Sequence, residues 1–126
     1  MDTLLAKEAA RILYEAWQET KSIDSLPDHL KPQTLDDGYQ IQEALELLHG
    51  VPVAGYKIGA TNKVAQKMFD VDAPFFGRIF APSIQESPGV VERGSVILHI
   101  IEAEFDFVFK RALPSRAGPY SLAEIM

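Results

Sequence analysis

The chain has 126 residues, about one domain's worth, with 47% apolar and 24% charged side chains, as in ordinary soluble globular folds. Twelve basic against eighteen acidic residues leave a net charge of −6, the wrong sign for a binder of nucleic-acid backbone. The absence of cysteine excludes a disulfide framework, a thiol nucleophile and thiolate-bound zinc, and no apolar run is long enough for a membrane-spanning helix. The opening Met1-Asp2-Thr3-Leu4 lacks the basic stretch of a secretory signal, so a cytoplasmic protein is expected.

Residues 3–20 predict an amphipathic helix, because Leu5, Ala9, Ile12, Leu13, Ala16 and Trp17 recur at helical spacing opposite Lys7, Glu8, Arg11, Glu15 and Gln18. Two prolines and several turn formers make 22–32 a loop. A second helix is expected from Thr34, with Asp37 three residues on in a capping-box arrangement. Its apolar stripe is Ile41, Ala44, Leu45 and Leu48, and its stop signals are Gly50 and Pro52. Val53 to Ile58 reads as a short strand ended by Gly59, and Val64 to Phe69 as a helical turn capped by Thr61 or Asn62. Residues 74–80 fit either a strand or a packed loop, and Val90-Val91-Glu92 fits a brief strand. Ser95 to Lys110 has the strongest strand pattern in the chain. Ser121 to Met126 reads as the first turn of a helix without a stop signal, the pattern of a C-terminal truncation.

Candidate chemistry lies in two places. In the long strand pattern Ile101, Ala103, Phe105, Phe107 and Phe109 would share a core face, with Glu102, Glu104 and Asp106 on the other. Such neighbouring acids repel unless the face is solvated or holds a cation, and hard divalent ions favour all-oxygen ligands. The same alternation also fits any half-exposed antiparallel strand. The second place is Gly55-Tyr56-Lys57-Ile58-Gly59-Ala60-Thr61-Asn62. There Lys57 is either a solvated strand lysine or a partly desolvated one with a lowered pKa, suited to moving protons. The three histidines are scattered, and His99 falls on the apolar face of the long strand pattern as a core residue.

GYKIGATN, FFGRIF and IEAEFDFVF, in this order, resemble the 2-keto-4-pentenoate hydratase / 2-oxo-3-hexenedioate decarboxylase branch of the fumarylacetoacetate hydrolase superfamily. The similarity runs through the whole chain and covers the N-terminal half of that family's usual length. It implies that Glu102 and Glu104 bind Mg²⁺ or Mn²⁺, that Lys57 takes part in substrate binding or proton transfer, and that a third acidic ligand lies beyond residue 126. Asp106 is not promoted to that role.

The implied activity is a metal-dependent hydratase (lyase) adding water to a 2-hydroxy-2,4-dienoate or 2-keto-4-pentenoate in aromatic-compound degradation. The alternatives are the family's 2-oxo-3-hexenedioate decarboxylase and a non-catalytic remnant or assembly subunit. The resemblance further implies a homo-oligomer, able to associate with the partner decarboxylase or hydratase. The expected fold is α+β: a helical lead-in over 1–50, then the start of a β-rich catalytic part over 51–126, on a mixed, mostly antiparallel sheet belonging to a β-roll. The 126 residues alone are expected to be inactive.

Overall fold

The protein is described over residues 1–126 by a computed structural model. Helix α1 spans Thr3–Gln18, and the side chain of Asp2 caps it by accepting from the Leu4 N–H at 2.7 Å. It ends two residues sooner than its apolar period suggests, and Thr20 turns the chain with a positive φ of 51°. Helix α2 spans Leu35–His49 and has the capping box that Thr34 and Asp37 predict, with Gly50 left-handed at its C-cap. The Asp37 carboxylate accepts from the backbone N–H groups of Gln33 and Thr34, each at 3.0 Å, and from the Met1 amine.

The two helices meet over small side chains. Ala6, Ala9 and Ala10 of α1 face Ile41 and Ala44 of α2, and Leu30, on a 3₁₀ turn at Asp28–Leu30, is fully buried between them. Alanines at the seam let the backbones approach closely, and Leu30 fills the space that they leave. Leu48, expected in the α2 stripe, is instead exposed.

Strand β1 (Val53–Gly59) pairs antiparallel with β2 (Phe75–Phe80), and helix α3 (Lys63–Met68) lies in the connection, capped by Asn62. The fold is therefore α+β, with a two-stranded sheet and a last short helix, α4, at Leu122–Ile125. Val53 pairs with Phe80 and Gly55 with Ile79, so Ala54 is an extra residue on β1. This bulge changes the phase of side-chain alternation, because directly paired residues share a face. Phe76, Arg78 and Phe80 turn toward the helices. Phe80 stacks on His49 at 4.3 Å and lies 5.8 Å from Trp17, while Phe76 stacks on Tyr39 at 4.4 Å. Arg78 Nε reaches Glu46 at 2.7 Å, and Gln42 donates to the Phe76 carbonyl at 3.0 Å.

The expected strand at Ser95–Lys110 does not form. After a 3₁₀ turn at Arg93–Ser95 the backbone is irregular, and Ile101 and Phe105, expected in a core, are 98% and 97% exposed. The reason is pairing: β-propensity expresses packing against cross-strand and same-face neighbours, and the β1–β2 ladder takes no third strand. Val90-Val91-Glu92 is likewise irregular. His99 is exposed rather than a core residue, with Nε2 3.1 Å from the Arg93 carbonyl.

Candidate active site

Lys57 leaves β1 on the face turned away from the helices. Its cross-strand partner is Gly77, and the neighbouring pairs Gly55–Ile79 and Gly59–Phe75 share its face. The bulge at Ala54 sets this orientation. With uninterrupted alternation from Val53, which pairs with helix-facing Phe80, Lys57 would point at the helices.

The 102–104 segment crosses to this lysine. Lys57 Nζ donates to Glu102 Oε2 at 2.9 Å and makes a second, shorter bond to Glu104 Oε1. Residues 45 and 47 positions apart in sequence are thus joined through one ammonium. The Lys57 side chain is 46% exposed, so solvent screens the pair.

The bonds to Glu104 and then Glu102 push the Lys57 pKa up, against a smaller opposing effect of burial. This corrects the desolvated-lysine alternative with its lowered pKa: the carboxylates favour the charged form more than burial disfavours it. Lys57 is a fixed ammonium here. Two of its three N–H donors are used on the acids, which leaves one for an anionic ligand.

Two carboxylates converging on one cation have the donor chemistry that a hard divalent ion requires. They supply only part of an octahedral shell. Asp106 is exposed, and no group of three or more His, Asp or Glu side chains gathers anywhere in the 126 residues. Glu102 and Glu104 therefore fit Mg²⁺ or Mn²⁺ as partial ligands.

Sequence reasoning missed two features of the site. One is the Gln42–Arg78–Glu46 set, which fastens β2 to α2 behind it; Arg78 donates to Gln42 Oε1 at 3.3 Å. The other is the glycine surface around Lys57. Glycine inside the strand-like FFGRIF segment was the available signal, since strand glycines mark close approach of a ligand or another backbone.

The chain is 32% identical to 2-keto-4-pentenoate hydratase 1 of Dechloromonas aromatica (strain RCB) over 94% of its own length and 47% of the relative's. It is 31% identical to 2-keto-4-pentenoate hydratase 2 of the same organism, over 90% of its length and 44% of the relative's. This chain is a relative of the 2-keto-4-pentenoate hydratases. A further hydratase relative, the 2-hydroxyhexa-2,4-dienoate hydratase of Comamonas testosteroni, is 31% identical over 80% of the chain and 40% of its own length. The chain thus spans somewhat under half the length of the curated hydratases it matches. No family profile matches it, and neither does any solved structure. No helix is long and apolar enough to cross a membrane.

Proposed function

We propose that these residues form part of a hydratase that adds water to a short 2-hydroxy-2,4-dienoate or 2-keto-4-pentenoate in the breakdown of aromatic compounds. The observation that carries the reading is the convergence of Lys57, Glu102 and Glu104 in a chain whose relatives are named hydratases. Those names favour water addition over the decarboxylase alternative.

Lys57 binds the substrate carboxylate with its remaining N–H donor. The same ammonium, kept charged by Glu102 and Glu104, steadies the negative charge that builds up in the dienol-to-ketone shift. In that shift the 2-hydroxyl proton leaves to water and water protonates a carbon of the diene. Water then adds to the conjugated alkene, hydroxyl at C4 and proton at C3. Glu102 and Glu104 would hold Mg²⁺ or Mn²⁺ together with water and ligands from outside these residues. When bound, the ion supplies Lewis-acid stabilisation of charge on the 2-oxygen. A cytoplasmic homo-oligomer belongs to the same proposal.

The test is loss of the dienoate's ultraviolet absorbance together with calorimetric Mn²⁺ titration, on the 126-residue chain and on one extended to the length of its relatives. The short chain is expected to bind Mn²⁺ weakly and show no turnover, and the extended chain to bind Mn²⁺ more tightly and turn over. In the extended chain Lys57→Met should abolish turnover and keep Mn²⁺ binding, whereas Glu102→Gln and Glu104→Gln should weaken Mn²⁺ binding. Undiminished turnover in Lys57→Met would refute the assignment.

A further inference from the structure

The outer face of the two-stranded sheet is a small chequerboard. Gly55 pairs with Ile79, Lys57 with Gly77 and Gly59 with Phe75, so three glycines alternate with one cation and two apolar side chains. The glycines are not equivalent. A Cβ on Gly59 would lie 2.8 Å from Phe75 Cε2, so the phenylalanine ring already covers that square. A Cβ on Gly77 or Gly55 would meet nothing within 4 Å. Gly77 therefore lies in a clearing open to one side, with Lys57 across the ladder and Phe75 and Ile79 two residues away on either side along β2. From Phe75 to Ile79 the floor runs for about 13 Å, enough for a short carbon chain and too little for a bulky one.

Nothing in the packing of the sheet requires glycine at position 77. Its φ is not in the left-handed region and no neighbour presses on it. Glycine in a strand also weakens the strand, by lost chain entropy and lost packing. A bare position between two apolar side chains, beside an ammonium that keeps one N–H donor free of Glu102 and Glu104, has the form of a floor for the hydrocarbon end of a ligand whose other end accepts that hydrogen bond.

We infer that Gly77 is a specificity-determining residue: its missing side chain leaves room, in front of the Lys57 ammonium, for the hydrocarbon chain of a short 2-oxo carboxylate. The inference rests on the hydratase reading of the Lys57 face and names the residue that sets how much carbon chain fits there. Gly55, beside Ile79, extends the same floor. Phe75 and Ile79 bound it, so the favoured ligand is a flat, short, unbranched acid.

The experiment is a titration of isotope-labelled protein with 2-oxopentanoate and separately with pyruvate, followed by amide chemical shifts at millimolar ligand. Pyruvate keeps the 2-oxo carboxylate and lacks the longer chain. In the wild type, 2-oxopentanoate should shift the amides of Gly55, Lys57 and Gly77 saturably. In Gly77→Ala its dissociation constant should rise about tenfold, the size of effect a misplaced methyl has in a packed site. Pyruvate binding should change by less than about twofold, because its carbon chain does not reach over the floor. Gly38→Ala, on α2 and also free of neighbours within 4 Å, should leave both unchanged. Melting of Gly77→Ala should stay within about 3 °C of the wild type, as for a substitution into open space.

Equal binding of 2-oxopentanoate by wild type and Gly77→Ala would overturn the inference and leave the hydratase reading standing. So would an equal loss for both ligands. Absence of any saturable shift in the wild type would also overturn the inference, whereas the hydratase reading falls on undiminished turnover of Lys57→Met in the extended chain.

Discussion

Shortening Leu30 to alanine tests whether the helical layer behind the sheet is a packed core. Leu30 is fully buried, and four members of its cluster, Ala6, Ala9, Ala10 and Ala44, have no rotatable atoms with which to refill the space, which leaves Ile41 as the cluster's other flexible buried side chain. Removing three carbons forfeits about 2.4 kcal/mol of transfer free energy at about 0.8 kcal/mol each. A residual cavity of about 60 Å³ adds about 1.5 kcal/mol. Leu30→Ala should therefore cost about 4 kcal/mol, and Leu30→Val about 1 kcal/mol.

Urea unfolding followed by Trp17 fluorescence measures both. Trp17 is the single tryptophan and sits 4.8 Å from His49 and 5.8 Å from Phe80, where the helices meet the sheet. A 4 kcal/mol loss lowers the urea midpoint by about 2 M at a typical slope for a chain of this size. Leu47→Ala, at an exposed position on α2, should stay within about 0.5 kcal/mol of the wild type. A loss below about 1 kcal/mol for Leu30→Ala would refute the reasoning, because it would mean that the seam collapses or is already wet.

Acid should loosen the start of α2. The Met1 amine and the Gln33 and Thr34 bonds hold the Asp37 carboxyl down at about 2, from an ordinary value of 3.8. A depressed native pKa gives stability that is present above the unfolded value and is lost as pH falls from about 4 toward 2. Thermal melting between pH 5 and pH 2 should show this decline, and Asp37→Asn should flatten it; an unchanged slope would discount the cap as its source. At Gly59, alanine must displace the Phe75 ring, which lies 2.8 Å from where the Cβ would sit. We expect Gly59→Ala to lower stability by about 1 kcal/mol and to shift the Phe75 and Phe69 ring resonances, whose centroids are 5.6 Å apart. No change in those rings would count against the close approach.

Much of the fold was legible because its signals are local. Thr34, Asp37 and Gly50 are chemically suited to begin and end a helix within one turn of themselves, and α2 starts and stops where they stand. Asn62 likewise starts α3. The 95–110 segment misled because its alternation is a statement about two faces, and a strand also needs a neighbour at its edge. The direction of the Lys57 shift was illegible for the same reason, since its two partners lie 45 and 47 residues away. The clearing at Gly77 emerges only when the register sets it opposite Lys57.

The extra residue at Ala54 has a consequence for how this surface can change. Strand β1 answers to two masters of opposite parity: Val53 keeps step with Phe80 on the helix side, and Lys57 with Gly77 on the open side. One inserted residue reconciles them, so the cationic face is a matter of counting rather than of side-chain chemistry. Loss of Ala54 would turn the bulge into a plain ladder, with Val53 opposite Phe80 and Gly55 opposite Ile79 as consecutive pairs, and Lys57 would keep its outward face with every side chain in the GYKIG segment intact. Related chains that share those letters share the ammonium's direction where Lys57 stays opposite Gly77, with or without the extra residue before it.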